Sequence, residues 1–338
     1  MSQALLRTLQ RRHAFDPTPP EAQLGRLHVP FDHLTRSHDF EDKLAAACRR
    51  GERIALIGSS GGGKSSITEH VLYPPNLQDL APIKVRVALD PQVVTDPTLF
   101  VGHLLKIVAA HVARGGGRDR RRVTGITRTP PASRGALSVG VGPSWLHGEL
   151  RRDLATVLEQ PSGIDALDKA QQILALIAHR NLIPVLVLDD TDHWLSVPAL
   201  PDPAPLRAGF FGPILRVIAE GLSGAAAVIA VHNAYLHEPA YEASTGFLET
   251  VIALPRLPGP DALAEILASR ARVALGETTL TTTRFVTPAA VEMLFDHYQR
   301  GNASVRTTIQ IAHAALAYAC DDDATTIDQA HVELAITE

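Results

Sequence analysis

Hydrophobic residues in the first 255 positions form short apolar runs, separated by longer segments with helical spacing. The strand-like segments are unbroken apolar runs or alternating stretches, and they lie at 53–57, 83–89, 183–188, 225–231 and 250–254. The segments with helical spacing lie at 39–50, 98–113, 162–177 and 206–222. Strands that alternate with helices predict an α/β fold with a doubly wound parallel sheet.

Beyond Pro255 the pattern is helical throughout. Helices are expected at 260–275, 288–299, 303–319 and 328–336. Thr287 followed by Pro288 is a good start for one of these helices, and Asp328 is a good N-cap for another. The predicted parts of the chain are an N-terminal arm, an α/β core and a small all-helical domain, at 1–38, 39–255 and 256–338.

One stretch inside the core differs in composition from the rest. Residues 114–135 are rich in arginine, glycine and proline, and 114–134 hold seven arginines against one aspartate. Such a stretch buries little apolar surface, so we expect a loop there, within a mobile basic insertion at 114–150. A short strand or hairpin arm is expected at 136–141.

Composition and charge narrow the class of protein. The chain has 338 residues, 45% of them hydrophobic and 20% charged, which is ordinary for a globular protein. No apolar run approaches the roughly 20 residues of a membrane span, and the N-terminus lacks a signal-peptide pattern. Two cysteines and scattered histidines provide neither a disulfide framework nor a metal site. We expect a soluble, cytoplasmic protein that does not act at a membrane.

The most informative motif follows the first apolar run. This run continues into Gly58-Ser59-Ser60-Gly61-Gly62-Gly63-Lys64-Ser65, and a helical segment starts at Ser66. Between a strand and a helix, the N–H groups of such a loop surround the β- and γ-phosphates, and the helix N-terminus adds partial positive charge. Lys64 is placed to reach these phosphates, and Ser65 to ligate Mg²⁺. The motif predicts a nucleoside triphosphate site that includes residues 58–66.

A second acidic motif ends the strand at 183–188. It reads Asp189-Asp190-Thr191-Asp192. At the carboxyl end of a buried strand, Asp189 is placed to hold the Mg²⁺ shell, and Asp190 to orient or deprotonate the attacking water. The two motifs together favour hydrolysis of the bound nucleotide.

With these motifs the chain resembles the AAA+ ATPases, most closely the branch of the archaeal and eukaryotic origin-recognition-type initiators and the related STAND signalling ATPases. The resemblance covers about residues 40–338. Leu188-Asp189-Asp190-Thr191-Asp192 is similar to the Walker B motif of the family, with Asp190 in place of glutamate. The resemblance implies that Asn233, after the strand at 225–231, helps to place the water. It also implies that Arg306 senses the γ-phosphate, and that the helical domain is the family's lid.

Two departures from the family pattern affect the prediction. Residues 232–250, where many AAA+ proteins carry an arginine finger, contain no arginine. Arg216 or Arg256 could serve as the finger in trans, although neither matches a motif. The sequence ends at Glu338, without the winged-helix domain that would follow in an initiator. Recruitment is therefore expected through the N-terminal arm, the insertion at 114–150 or another protein, and the segment from Arg114 to Arg134 is the one that could contact DNA phosphates.

The expected function is that of an ATPase, which converts ATP and water to ADP and phosphate with Mg²⁺. We expect a regulator that assembles into nucleotide-dependent homo-oligomers and controls a partner effector of the defence, transposition or replication type. Two alternatives remain open: a DNA-binding ATP-dependent remodeller or loader, and an ATP-gated scaffold with little turnover. A small-molecule kinase is disfavoured because the domain after residue 255 is wholly helical.

Overall fold

The described residues of the protein contain a five-stranded parallel β-sheet, with helices between its strands in the sequence. The computed structural model describes residues 2–35, 39–73, 79–86, 90–128, 154, 157–158, 161–189, 191–194, 202–301 and 304–337. The strands are Arg53–Ile57 (β1), Leu80–Arg86 (β2), Ile183–Asp189 (β3), Ala226–Val231 (β4) and Thr250–Ala253 (β5). Their order in the sheet is β2-β3-β4-β1-β5. The predicted α/β fold with a parallel sheet and a helical C-terminal segment is confirmed.

The register of the central strands explains their unbroken apolar runs. β3 pairs in parallel with β2 on one side, with Val85 opposite Leu188, and with β4 on the other, with Leu188 opposite Ile229. Residues 184–188 of β3 and all six residues of β4 are buried. A strand paired on both edges and covered on both faces has no solvent-facing side, so no alternation of polar residues appears.

The chain divides into two compact units. The first comprises Met1–Leu44, Ile57–Pro75 and Ala253–Glu338, and the second comprises Ala45–Leu56 and Asn76–Ile252. Among the described residues of either unit, no helix is both long and apolar enough to cross a membrane.

Helices of the first unit come from three separate parts of the sequence. They are Ser2–Arg11 (α1), Glu21–Leu27 (α2), Phe31–Leu34 (α3), the start of Phe40–Arg49 (α4), Lys64–Leu72 (α5), Pro260–Leu275 (α13), Pro288–Arg300 (α14), Val305–Asp321 (α15) and Gln329–Thr337 (α16). The expected caps are present, because the Thr287 hydroxyl accepts from the Ala290 N–H at 3.3 Å and the Asp328 carboxylate accepts from the His331 N–H at 3.2 Å. Each cap provides an acceptor for a backbone donor that the helix itself leaves unpaired.

Helices of the second unit lie between its β-strands in the sequence. They are Pro91–Thr95 (α6), Pro97–Ala113 (α7), Gly117–Arg128 (α8), Pro161–Ala178 (α9), Ala204–Gly209 (α10), Leu215–Gly221 (α11) and Pro239–Ser244 (α12). A π-helical turn, Phe210–Ile214, with Pro213 inside it, joins α10 to α11. Proline removes a backbone donor from the helix, so the helix expected at 206–222 is interrupted at this point.

The structure corrects the interpretation of residues 114–135 as a loop. Gly117–Arg128 form α8, with Val123 buried and Asp119 in an ion pair with Arg180. Arginine is a good helix former, and residues 118–128 contain no proline. The glycine and proline content of the whole stretch 114–135 concealed this shorter helical segment. The strand expected at 136–141 lies outside the described residues.

The second strand begins three residues earlier than expected. β2 spans Leu80–Arg86, with Leu80 and Ala81 buried, whereas the alternation in the sequence pointed to 83–89. Pro82 lies inside the strand and hid its start, since proline cannot donate to a ladder. It is tolerated because β2 is an edge strand of the sheet.

Candidate functional site

The connection from β1 to α5 depends on two glycines with left-handed backbone geometry. Gly61 has φ +69° and Gly63 has φ +99°, a region that other residues rarely adopt. The Gly62 N–H donates to the Ser59 carbonyl at 3.0 Å and closes a tight turn. Gly63 occupies the N-cap position of α5 without a side chain to cap it. The first turn of α5 therefore presents backbone N–H groups at the loop.

Lys64 lies inside this loop. Its side chain is buried, and its Nζ donates to the carbonyls of Gly58 and Ser59 at 2.8 and 2.9 Å. Burying an ammonium group is costly unless it is well hydrogen-bonded, and here the loop itself supplies acceptors. Phosphate oxygens are acceptors of the same kind with more negative charge. Lys64 is therefore a buried cation held inside the loop that the motif assigns to a nucleotide phosphate.

Three of the four serines at residues 58–66 differ in their surroundings. Ser60 is exposed at the tip of the loop, while Ser65 and Ser66 are half-buried in the first turn of α5. The Ser66 hydroxyl contacts the N-terminal arm, with Oγ 3.4 Å from the Leu24 carbonyl oxygen and 3.3 Å from His28 Nδ1. For a phosphate, Ser66 thus offers its backbone N–H, and Ser65 remains the candidate Mg²⁺ ligand.

The structure places Arg306 against residues 58–65, the predicted phosphate loop. Arg306 is the second residue of α15, and its N–H donates to the Gly61 carbonyl at 3.4 Å. A Cβ atom added to Gly61 would lie 2.8 Å from Arg306 Cβ and 2.6 Å from Ser304 Oγ. The side chain of Arg306 is exposed beside the loop. The missing side chain of Gly61 therefore permits α15 to approach the loop closely.

The sequence analysis missed a buried polar cluster beside the same helix. His28 Nε2 lies 2.8 Å from Glu41 Oε1, and its ring packs 4.7 Å from the ring of His70. Burial, with a smaller effect of His70, lowers the pKa of His28, although the contact with Glu41 opposes this shift. Burial raises the pKa of Glu41, but hydrogen bonds from His28 and the Phe31 N–H outweigh burial and lower it. Only proximity in the fold reveals the cluster, because its members lie far apart in sequence.

The acidic motif belongs to the second unit. Asp189 is the last residue of β3 and is half-buried, opposite Arg86 of β2. The following Thr191 is fully buried, and its Oγ1 donates to the Ala230 carbonyl at 2.6 Å. This bond ties the end of β3 to the end of β4 and fixes the direction of the chain after Asp189. Asp190, the predicted general base, lies outside the described residues.

Asn233 lies just beyond β4, at the start of a 3-10 turn, Asn233–Tyr235. The turn is capped by His232, whose Nδ1 accepts from the Ala234 N–H at 3.0 Å. The Tyr235 hydroxyl donates to the Thr191 carbonyl at 2.6 Å and anchors the turn to the end of β3. Asn233 itself is exposed. Asp189 thus ends β3, and Asn233 follows β4. Because these two strands are adjacent and parallel, both residues lie at the carboxyl-terminal edge of the sheet.

The two candidate arginine fingers have different surroundings. Arg216 on α11 forms an ion pair with Glu220 one turn later, at 2.9 Å. Arg256, which follows β5, is exposed. Nothing in their geometry selects one over the other.

Three arginines of the basic segment lie on one face of α8. Arg118, Arg121 and Arg128 are exposed and lie on the side of α8 opposite the buried Val123. Among the residues of the described ranges, no cluster of three or more His, Cys, Asp or Glu side chains suited to a metal ion is found.

Comparisons with known proteins find likeness at the level of structure. No family model matches the chain, and no curated protein matches it. The structure of the Aeropyrum pernix ORC2 protein in its ADP form matches with a TM-score of 0.51 and 16% sequence identity, over 97% of this chain and 72% of that one. At this identity the match shows a shared fold, and this fold is the one that the resemblance in the sequence predicts.

Two further solved structures give lower scores. The ADPNP–ADP complexes of the same ORC2 protein match with a TM-score of 0.49 and 16% identity, over 88% of this chain and 66% of that one. The Aeropyrum pernix ORC1 protein in complex with DNA matches with a TM-score of 0.47 and 18% identity, over 88% of this chain and 63% of that one. The chain thus spans just under two thirds of the length of these two proteins.

Proposed function

We propose that this protein binds ATP through the phosphate loop formed by residues 58–65. The buried Lys64 carries this proposal: its ammonium group lies inside a loop with two left-handed glycines, at the uncapped N-terminus of α5. Such a loop offers a cation and several N–H donors to a phosphate at once. The related fold of the ORC2 protein, which was solved in an ADP form, supports a nucleotide as the ligand.

The roles of the other site residues form part of the same proposal. Ser65 and Asp189 would hold Mg²⁺, which supplies charge neutralisation at the phosphates. Asp190 and Asn233 would orient the attacking water, and Arg306 would contact the γ-phosphate. The proximity of Arg306 to Gly61 supports its role. The proposed reaction is hydrolysis of ATP to ADP and phosphate.

The biological role that we propose is regulation of a partner effector through nucleotide-dependent self-assembly, in the cytoplasm. The effector belongs to a defence, transposition or replication process. The support is the resemblance of the sequence to the AAA+ ATPases, together with the fold that the chain shares with the ORC2 protein. An ATP-gated scaffold with little turnover uses the same nucleotide site.

The decisive experiment measures nucleotide binding by the Lys64→Ala variant. Binding of a fluorescent ADP analogue with Mg²⁺ is expected in the natural protein and is expected to fall at least 100-fold in the variant, since the loop loses its cation. Lys169→Ala is the matched control, because Lys169 is also a partly buried lysine but pairs with Asp165 on α9. Equal binding by Lys64→Ala and the natural protein would overturn the proposal.

A second measurement separates the ATPase from the scaffold. ATP turnover per protomer is followed across a series of protein concentrations. A rate that rises with concentration supports assembly with shared catalytic sites. A rate near zero at all concentrations, with nucleotide bound, supports the scaffold.

A second candidate function is DNA binding through the arginine face of α8, defined by Arg118, Arg121 and Arg128. Three exposed guanidinium groups on one side of a helix suit a phosphate backbone. Replacing all three by alanine should reduce the slope of log K against log salt by about 3. Arg300→Ala, an exposed arginine on α14, is the matched control. No DNA binding at low salt, or an unchanged slope, would refute this function.

A further inference from the structure

The first turn of α5 is stabilised from outside the helix. Gly63 at the N-cap carries no side chain, so the capping hydrogen bond of an ordinary helix start is missing. Instead, the Ser66 hydroxyl in the first turn of α5 contacts the arm at the Leu24 carbonyl and at His28 Nδ1. The N–H groups at the start of α5 remain directed at the phosphate loop, while the arm holds the turn that carries them.

The hydrogen bonds of Glu41 indicate which ring nitrogen of His28 carries the proton. Glu41 Oε1 accepts from the Phe31 N–H at 3.0 Å and lies 2.8 Å from His28 Nε2, so it acts as a carboxylate acceptor. His28 Nε2 then carries the proton, and the single Ser66 O–H is shared between two acceptors, the His28 Nδ1 lone pair and the Leu24 carbonyl oxygen. A continuous chain of hydrogen bonds results, from Ser66 through His28 to Glu41.

The arm and α5 are also in close backbone contact one turn further along. A Cβ atom added to Gly25 would lie 3.0 Å from the Glu69 carbonyl oxygen. The Gly25 carbonyl oxygen lies 3.1 Å from His70 Nδ1, and the ring of His70 packs on that of His28. The groups that face His28 are therefore Glu41 from α4, and Ser66 and His70 from α5. The contact extends over two turns of α5.

We propose that His28 is a positioning residue for the nucleotide: through Ser66 it holds the first turn of α5 in the geometry in which Lys64 and Ser65 bind phosphate. This inference rests on the proposed nucleotide site. Binding free energies are reciprocal, so a phosphate that orders the first turn of α5 also strengthens the docking of residues 21–41. The arm thereby senses whether the phosphate site is occupied.

The test is a double-mutant cycle on the Kd of the fluorescent ADP analogue with Mg²⁺. His28→Ala and Ser66→Ala are each expected to weaken binding about tenfold, the effect of one lost buried hydrogen bond on a preorganised site. The two substitutions share the contact between Ser66 and His28, so the loss in the double variant is expected to be smaller than the sum of the two single losses. Additive losses, or a natural Kd in either single variant, would overturn the proposal.

A matched control separates positioning from general destabilisation. His331 in α16 is also a buried histidine held by carboxylates, with Nδ1 2.6 Å from Asp328. His331→Ala should lower the free energy of unfolding as His28→Ala does, but leave the nucleotide Kd unchanged. His28→Gln, whose amide can donate to Glu41 and accept from Ser66, should restore most of the affinity. Loss of affinity in the His331 variant would show a merely structural effect.

Trypsin cleavage provides a second readout. Arg26 is exposed at the end of α2, so cleavage after it requires the arm to open locally. Nucleotide with Mg²⁺ should slow this cleavage in the natural protein but not in Ser66→Ala, as followed by mass spectrometry. Equal protection in both proteins would contradict the proposal. A failure of the positioning role of His28 can be distinguished from a failure of the proposed nucleotide site. Only in the second case do the natural protein and Lys64→Ala bind nucleotide alike.

Discussion

Gly61→Ala should destabilise the contact between the phosphate loop and α15. Two costs add at this position. An alanine at φ +69° occupies the left-handed region, at about 1–2 kcal/mol. Its Cβ atom would also lie 2.8 Å from Arg306 Cβ and 2.6 Å from Ser304 Oγ, closer than such atoms approach.

The steric cost cannot be relieved by a side-chain rotation alone. Arg306 Cβ moves only with the backbone of α15, and Ser304 Oγ is the N-cap acceptor for the Thr307 N–H at 3.2 Å. Displacing the start of the helix therefore weakens its cap. Overpacking of this kind costs about 1–3 kcal/mol. The expected loss in the free energy of unfolding is about 2–5 kcal/mol in total.

The assay is urea denaturation followed by circular dichroism, with Gly276→Ala as the matched control. Gly276 has φ +72°, and a Cβ atom added there meets nothing within 4 Å, so its variant has the backbone cost without the clash. The difference between the two variants isolates the approach of α15 to the loop. Equal unfolding free energies for Gly61→Ala and Gly276→Ala would refute the reasoning.

Three further outcomes follow from single contacts. Burial lowers the pKa of His28 below its usual 6.5, so the unfolded chain binds the proton more readily and the unfolding free energy should fall as pH decreases below about 6.5. His28→Gln should make the unfolding free energy depend less on pH, as measured by urea titrations at several pH values. The same pH profile in the variant and in the natural protein would contradict this prediction. Thr191→Val deprives the buried Ala230 carbonyl of its donor and should cost about 1–3 kcal/mol by thermal denaturation, whereas an unchanged midpoint would disprove the contact. Val123→Ser should speed amide hydrogen exchange across residues 117–128, and unaltered exchange would show that α8 does not depend on this anchor.

Most of the fold was predictable because its signals are local. Buried parallel strands such as β3 and β4 have unbroken apolar runs, and the glycine-rich loop between β1 and α5 has a motif with a physical mechanism. The caps at Thr287 and Asp328 were correctly placed for the same reason, since a cap acts within three residues of itself. Local rules succeed wherever the interacting residues are close in sequence.

The features that were missed depend on distant residues. α8 is anchored by the burial of Val123 and by an ion pair with Arg180, which lies beyond the next described helix. The start of β2 was hidden by Pro82, whose tolerance follows from an edge position that only the strand order reveals. The contact of His28 with Ser66 joins residues 38 positions apart. None of these has a periodic or short-range signature.

The phosphate loop is held on two sides by segments of the same unit. On one side the carbonyl of Gly61 accepts from Arg306 at the start of α15, and on the other Ser66 contacts His28 of the arm. These contacts flank Lys64 and Ser65, but they share no residue. The effects of Gly61→Ala and Ser66→Ala on nucleotide affinity should therefore add if each contact acts independently on the loop. Losses that are smaller than the sum would mean that α15 and the arm stabilise one common conformation of the loop, so that a bound phosphate would be sensed by both segments together.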